Sequence, residues 1–225
     1  MSRERLSKTE YRDAVYFDFE GVGKSKNDKA SPAPMLCGFF RPHFTGTRGD
    51  YECVCFDVTW KPIVNGNKEA NYQNFNDCFS TLLDEIHERD VYLVHWTDHE
   101  RDILKTYLRE DLFESIDTYL HNLHPIAKRY VRITNKFGDK SQGRGRSLSE
   151  FYHAIYPSRE NQPVLKTGAA EACRRLNNAC KVTKRWRRFS EKQQTYARNL
   201  IAYNKGDCLS TWLIAKRLGS FFQRD

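Results

Sequence analysis

The sequence predicts an α/β protein with a mixed sheet flanked by helices and a helical C-terminal half. Short apolar and aromatic runs alternate with amphipathic segments in the first half of the chain, and the helical period dominates from Ser147 onward. No internal repeat or second domain boundary interrupts this pattern. A chain of 225 residues can bury the core of one such domain. We therefore expect a flexible tail over residues 1–12 and a single domain over residues 13–225.

The strands are predicted mainly in the first half of the chain. Residues 14–20 form an apolar and aromatic run that ends at a glycine-containing turn, which indicates a buried strand. Residues 35–40 and 52–58 indicate two further strands, the antiparallel partners of the first, and the polar stretch 24–34 indicates a loop. Residues 91–94 indicate another short buried strand.

The helices are predicted from apolar residues spaced three and four apart. This spacing occurs at 71–88, 98–109, about 110–119, 147–156, 166–181 and 190–218, the last being one helix or two joined near Gly206. Residues 117–131 fit neither class of element. Residues 134–146, rich in glycine and charge, predict a mobile loop.

The composition predicts a cytoplasmic protein that does not engage a membrane. No window approaches the roughly 18 continuous apolar residues of a membrane span, and the N-terminus MSRERLSKTEYRD differs from a signal peptide. Seven cysteines, an odd number, favour reduced thiols over a disulfide framework. Neither feature identifies a protein partner.

The charge balance predicts a polyanionic partner. The chain has 37 Lys and Arg against 29 Asp and Glu, a net charge of +8. In the densest cluster, KVTKRWRR, cations can pair with phosphates while the indole stacks on a base, which suits single-stranded nucleic acid. A solvated loop between helices is the alternative. The cluster, called the basic cluster below, consists of Lys181, Lys184, Arg185, Trp186, Arg187 and Arg188.

The stretch VYFDFEG, residues 15–21, places two carboxylates in an otherwise apolar strand. Because alternate side chains of a strand share a face, Asp18 and Glu20 point the same way, opposite to Phe17 and Phe19. Buried together, the two acids repel each other unless a cation lies between them. Oxygen ligands suit Mg²⁺ or Mn²⁺ better than zinc. The alternative is an edge strand with two solvated acids.

Two further acids are predicted to face packed structure. In HWTDHERDILKTYL, residues 95–108, Glu100 lies on the apolar helical stripe three residues before Ile103, although a helix cap is the alternative. Tyr203 and Asp207 are four residues apart and share a helix face. The four acids together indicate a metal site more strongly than any one of them.

These segments resemble the DEDD superfamily of 3′–5′ exonucleases, which have the ribonuclease H-like fold. Within it, the chain is most similar to the branch described as predicted RecB-family or YprB-like ribonuclease H-like exonucleases. The segments that carry the resemblance are YFDFEG, VHWTDHERDIL, SLSEFYHAIYP and AYNKGDCLSTW. The resemblance extends from about Asp13 to Leu218.

The resemblance implies a metal site and a reaction. Asp18 would bridge two Mg²⁺ or Mn²⁺ ions, with Glu20 and Asp207 on the ion that activates water. Glu100 stands where most of the superfamily has aspartate and would act on the other ion through water. Tyr203 would position the attacking water, which places the chain in the tyrosine-type branch. The implied activity is hydrolysis of phosphodiester bonds at 3′ ends of single-stranded DNA or RNA.

Two other functions stay open at the level of sequence. One is a structure-specific or hybrid-specific endonuclease with the same metal site, and the other is a catalytically silent domain that binds nucleic acid through the basic cluster. His95 is either a substrate contact or a hydrogen-bonded core residue, and His99 is predicted at the surface. Asp117 is either an accessory acid or a solvated cap.

Overall fold

A six-stranded mixed sheet forms the centre of the chain. The computed structural model describes residues 6–23, 32–43, 48–137, 147–157, 165 and 167–222. The strands are β1 Val15–Glu20, β2 Leu36–Pro42, β3 Gly49–Cys55, β4 Ala70–Tyr72, β5 Leu93–His95 and β6 Leu120–Asn122. Their order in the sheet is β4-β3-β2-β1-β5-β6. The prediction of an α/β protein with a mixed sheet is confirmed.

The sheet combines antiparallel and parallel pairing. β1 pairs antiparallel with β2, as the sequence predicts. The predicted pairing of the next strand with β1 is wrong, because β3 pairs antiparallel with β2 and lies one strand away from β1. β5 pairs parallel with β1 and with β6, while β4 adds a parallel edge beside β3. In the β1–β2 register Asp18 lies opposite Gly38, so the first predicted acid has a residue without a side chain beside it.

Helices cover both faces of the sheet. They are α1 Lys8–Asp13, α2 Lys61–Gly66, α3 Phe75–Arg89, α4 Asp98–Tyr107, α5 Glu110–Asp117, α6 His124–Ile133, α7 Leu148–Ile155, α8 Ala169–Val182 and α9 Glu191–Phe222. Short 3₁₀ turns occupy Val58–Trp60 and Trp186–Arg188. Among the described helices, α9 included, none has the length and apolarity that a bilayer span requires.

Two apolar layers hold the sheet between the helices. On one face, Phe17 and Phe19 of β1 pack with residues of α3, α4 and α5. On the other face, the layer under α9 contains Tyr16 of β1 at one end and residues of α8 and α2 at the other. α9 is a single helix of 32 residues that contacts both β1 and β2, which settles the choice left open at Gly206.

The expected flexible tail over residues 1–12 is wrong for its second half. Ser7 begins α1 with a capping box, in which its side chain accepts from Glu10 N and the Glu10 side chain accepts from Ser7 N. Tyr11 is 2 % exposed, and its hydroxyl lies 3.1 Å from His121 Nε2. Burial of this aromatic ring orders a segment that looks polar in sequence. Residues 1–5 lie outside the described residues.

Caps also shift several predicted boundaries. The strand predicted at 52–58 ends at Cys55, and the Asp57 side chain accepts from Thr59 N to begin a 3₁₀ turn. The helix predicted at 71–88 begins after its cap Asn74, because residues 70–72 pair with β3 instead. The undecided stretch 117–131 contains β6 and most of α6. Most of the predicted loops at 24–34 and 134–146 lie outside the described residues.

Candidate metal centre

Three carboxylates from two distant segments meet at one point. Asp18 and Glu20 project from the face of β1 that α9 covers, and Asp207 projects from α9. One oxygen from each of the three lies within 4.8 Å of the others. Glu20 is buried, whereas Asp18 and Asp207 are half-buried. The predicted common face of Asp18 and Glu20 is confirmed, and the solvated edge strand is wrong because β1 lies between β2 and β5.

Glu100 approaches the same place from the start of α4 but does not join the tight group of three. It is 5 % exposed, so the predicted inward orientation is confirmed. Its Oε2 accepts from Thr97 N and Thr97 Oγ1, both at 2.9 Å, in a capping box. The capping alternative is therefore also correct, because one residue both closes the helix end and faces the site.

The four acids share a pocket of about 360 Å³. Tyr203, one turn before Asp207 on α9, lines it as predicted. His99 also lines it; the residue is exposed, as the sequence predicts, but stands at the rim of this pocket. The backbone turn after β1 and the first turn of α8 complete the wall, through Gly21, Gly23, Ala169 and Ala170.

Burial and mutual repulsion make three of the acids hard to ionise. Burial, then the neighbouring charge of Asp207, raises the pKa of Glu20 to about 8. Burial, then the charge of Glu100, raises the pKa of Asp207 to about 7, although hydrogen bonding with Tyr203 opposes this. Burial and then the charge of Glu20 raise the pKa of Asp18 well above its ordinary value. All three pKa shifts reflect burial first and, second, the charge of neighbouring carboxylates that no cationic side chain among the described residues balances.

Glu100 behaves in the opposite way. Burial would raise the pKa of Glu100, but hydrogen bonding with His95 and with the backbone of the cap outweighs burial and leaves that pKa lowered. Its Oε2 lies 3.6 Å from His95 Nδ1. Glu100 therefore keeps its negative charge and repels the other three acids, as the pKa shifts of Asp18 and Asp207 record.

The donor set fits a divalent cation with a preference for oxygen. In the described part of the chain, no lysine or arginine forms an ion pair with Asp18, Glu20 or Asp207. Three carboxylates at this separation, with no cationic side chain among them, need an external cation to be ionised together at neutral pH. Carboxylate oxygens suit Mg²⁺ and Mn²⁺, and no cysteine belongs to the group.

Asn204 holds Asp18 in place, and sequence reasoning missed it. Its Nδ2 donates to the Asp18 carboxylate Oδ2 at 2.8 Å and to the Asp18 carbonyl at 3.1 Å. Its Oδ1 accepts from the Tyr51 hydroxyl at 2.9 Å. A Cβ at Gly38 would overlap this Oδ1, so the glycine makes room for the amide. The only signal in the sequence is an asparagine three residues before Asp207, and its partners lie more than 150 residues away.

Replacing Asn204 with alanine should weaken both the fold and the metal site. We expect a loss of about 1–3 kcal/mol in the free energy of unfolding, because the half-buried Asp18 carboxylate loses the amide that donates to it. Mn²⁺ should bind more weakly, which a thermal-shift titration measures. Tyr51→Phe is the matched control, since it removes the other hydrogen bond of Asn204 and leaves the contact with Asp18. Unchanged Mn²⁺ affinity in Asn204→Ala would contradict the positioning role.

The basic cluster is exposed but does not reach the acidic pocket. Its five cations are exposed, and Trp186 is half-buried. The indole packs on Gly66 of α2, lies 5.5 Å from the Phe189 ring and has the Arg198 guanidinium 5.7 Å from its centroid. These contacts make Trp186 an anchor for the cluster and occupy much of the surface that was predicted to stack on a base. The phosphate-binding role of the cations stays a prediction.

The remaining polar residues fall outside the group of acids. His95 is 1 % exposed, and its Nδ1 donates to the Thr97 carbonyl at 2.5 Å, which supports the alternative of a hydrogen-bonded core residue. Asp117 pairs with Arg101 at 2.6 and 2.8 Å and does not line the pocket, so it is not an accessory acid of the site.

Comparisons with known proteins add no family to this description. A scan against protein-family models finds no match for the chain, and a search of curated proteins finds none either. The fold and the site define an α/β protein with an acidic pocket, suited to divalent cations, between the central strand β1 and the helices α4, α8 and α9. The resemblance to the DEDD exonucleases stays a prediction.

Proposed function

We propose that the protein is a metal-dependent 3′–5′ exonuclease that hydrolyses phosphodiester bonds of single-stranded DNA or RNA with two Mg²⁺ or Mn²⁺ ions. The observation that carries the proposal is the convergence of Asp18, Glu20 and Asp207 within 4.8 Å, with Glu100 and Tyr203 lining the same pocket. The ribonuclease H-like fold belongs to the same proposal. A mixed sheet with helices on both faces is compatible with it.

Each acidic residue has a distinct task in this proposal. Asp18, Glu20 and Asp207 hold the ions, and Asn204 fixes one of the Asp18 oxygens. Glu100 contributes negative charge from outside the tight group, where Thr97 already holds its Oε2. When bound, the ions would activate water and stabilise the leaving oxygen at phosphorus.

Tyr203 suits a positioning role and not that of a general base. Burial, then the charge of Asp207, raises the pKa of the Tyr203 hydroxyl further above its ordinary value near 10. The hydroxyl therefore keeps its proton at neutral pH and shares it with Asp207, while its oxygen can accept a hydrogen bond from a water molecule. Its place one turn before Asp207, on the wall of the pocket, brings the hydroxyl close to a carboxylate that would hold an ion.

The size of the pocket favours attack at a chain end. A volume of about 360 Å³ lies at the small end of ligand sites and suits one nucleotide better than a length of duplex. Single strands also match the exposed cations of the basic cluster, which can follow a flexible backbone. These two features support exonuclease action over the endonuclease alternative.

The direct test is digestion of single-stranded DNA and RNA of one sequence, each labelled at the 5′ or the 3′ end, with Mg²⁺, Mn²⁺ or EDTA. We expect metal-dependent release of single nucleotides from the 3′ end, visible as a ladder of shortening 5′-labelled products. Circular single-stranded DNA is the control, because it has no end and should survive. Cleavage of the circle would identify an endonuclease, and intact substrates with both metals would contradict nuclease activity.

A further inference from the structure

We infer that the groove between α8 and α9 binds the part of a single strand that continues beyond the acidic pocket, an inference that rests on the proposed nuclease function. Arg175, Lys192 and Tyr196 would contact this strand, and the basic cluster would hold its far end. The ligand class is a single-stranded polynucleotide. The site would therefore require a minimum length of substrate for full activity.

The groove and the acidic pocket are both lined by residues of α8 and α9. Ala169 and Ala170 of α8 and Tyr203 of α9 line the pocket. Further along the same two helices, the Arg175 guanidinium donates to the Tyr196 hydroxyl at 2.7 Å. Tyr196 and Tyr203 are seven residues apart and therefore lie on the same face of α9. A strand that leaves the pocket along this face meets Tyr196 next.

The groove also joins the basic cluster. Its volume is about 540 Å³, and Arg175, Lys192 and Tyr196 are among its lining residues. A second cavity of about 430 Å³ shares Val182 and Thr183 with it. The remaining lining residues of this second cavity are the cations Lys184, Arg185 and Arg188. Groove and cluster therefore adjoin at the C-terminal end of α8.

The chemistry of the groove suits a phosphate backbone with bases attached. Arg175 and Lys192 lie 5.4 and 6.0 Å from the centroid of the Tyr196 ring, so two cations surround one aromatic side chain. The carboxylate of Glu171 partly neutralises the positive charge here, because it pairs with Arg174 at 3.0 Å and with Arg175 at 2.7 Å. One carboxylate shared by two guanidinium groups leaves net positive charge at this turn.

Few other acids lie along this path. Residues 169–192 contain only two acids, Glu171 and Glu191, against the cations of the basic cluster and those of the groove. Val182 at the junction of groove and cluster is 85 % exposed, the highest value among the large hydrophobic residues of the described part of the chain. An apolar side chain between cations provides a contact for a base while phosphates pair on either side.

The helix geometry sets the length of strand. Tyr203 and Lys192 are separated by about 16 Å along α9, at about 1.5 Å per residue. At about 3.4 Å per stacked nucleotide this distance corresponds to about five nucleotides. The basic cluster extends the path by a few more, so about eight nucleotides should saturate the site, within the range of about 4–16 known for single-strand grooves.

The test measures kcat/KM on 5′-labelled single strands from 3 to 16 nucleotides. For the wild-type protein kcat/KM should rise with length and level off near about eight nucleotides. Lys192→Glu, and Arg185→Glu with Arg188→Glu, should each lower kcat/KM on the 16-mer by about tenfold more than on the 3-mer. The slope of log kcat/KM against log salt should become shallower for the 16-mer in both variants. Lys105→Glu, an exposed charge reversal on α4, is the matched control.

The outcomes separate the groove from the proposed reaction. The proposed strand-binding groove would be contradicted if kcat/KM of the wild-type protein did not depend on substrate length. It would also be contradicted if the variants lost activity equally on the 3-mer and the 16-mer. If the wild-type protein cleaves no substrate, the nuclease proposal fails, and the groove is then tested by fluorescence anisotropy with a labelled 16-mer. Binding that Lys192→Glu weakens and Lys105→Glu does not would uphold it. If the wild-type protein and both variants bind the 16-mer equally, or if none of them binds it, the groove does not bind single strands. That result is expected if the cations instead face an acidic protein segment.

Discussion

Replacing Asp18 with asparagine is expected to lower metal-dependent hydrolysis by at least about 10³-fold, a loss of about 4 kcal/mol in transition-state stabilisation. Asp18 is one of the three carboxylates within 4.8 Å, and the Asn204 amide donates to one of its oxygens. Asparagine keeps the shape of the side chain but removes the anionic oxygen that a divalent ion prefers. The fold should persist, because the substitution also removes a source of repulsion.

Asp102→Asn provides the control for this experiment. Asp102 is exposed on α4, half a turn from Glu100, and loses the same single charge without touching the pocket. Its activity should equal that of the wild-type protein. Circular dichroism melting would show that both variants are folded. If Asp18→Asn retains activity within tenfold of wild type while folded, the assigned metal centre is wrong.

The metal-free protein is expected to lose stability at the site as the pH rises from about 4 to about 8. The pKa of Glu20 is raised from 4.5 to about 8 and that of Asp207 from 3.8 to about 7. A carboxyl group with a raised pKa in the folded state binds its proton more tightly there than in the unfolded chain. Below the pKa that the group has in the unfolded chain, the tighter proton binding stabilises the folded protein in full. This stabilisation is lost as the pH rises through the pKa that the group has in the folded protein.

Mn²⁺ should reverse this loss at high pH. At pH 8 more of the carboxyl groups have lost their protons than at pH 5, so Mn²⁺ can bind and neutralise their negative charge. At pH 5 the carboxyl groups are protonated and do not bind Mn²⁺. With free Mn²⁺ at about 100 times its Kd, the expected stabilisation is about 2.7 kcal/mol. Thermal unfolding with and without Mn²⁺ at pH 5 and pH 8 measures both effects. The rise in Tm on adding Mn²⁺ should be large at pH 8 and small at pH 5.

The variant Asp207→Asn shows how much of the pH dependence of stability comes from the acidic pocket and how much from other titrating groups. Without metal, this variant should melt about 2–6 °C above wild type at pH 8, because one repelling charge is gone, and should match wild type at pH 5. It should also lose the response to Mn²⁺. Asp102→Asn should behave as wild type throughout. A metal-free Asp207→Asn protein that melts below wild type at pH 8 would show that the three acids are not under mutual repulsion.

Local periodicity was enough to orient the acids. The alternation of a strand placed Asp18 and Glu20 on one face, and the helical stripe placed Glu100 inward. It could not show that Glu100 also caps α4 through Thr97, since a capping residue and an inward-facing residue have the same spacing. Nor could it show that Glu100 stays outside the group of three oxygens.

Other features depend on partners that are distant along the chain. Asn204 acquires its role only because Gly38 and Tyr51 meet α9 across the sheet. Residues 8–13 are ordered because α1 packs against α9. No local pattern in this polar segment predicts that contact. Trp186 turns toward Gly66 and away from solvent for the same reason.

By itself, the sequence determined the class of fold, the strand that carries Asp18 and Glu20, the common face of these two acids, the inward side of Glu100 and the position of the basic cluster. It could do so because strand alternation, helical spacing and charge density are local properties. Tertiary structure alone decided that β1 lies inside the sheet, which oxygens converge, that Asn204 holds Asp18, and that the groove between α8 and α9 adjoins the basic cluster. These relations depend on how β1, α8 and α9 pack, and packing brings together side chains that lie nearly 190 residues apart.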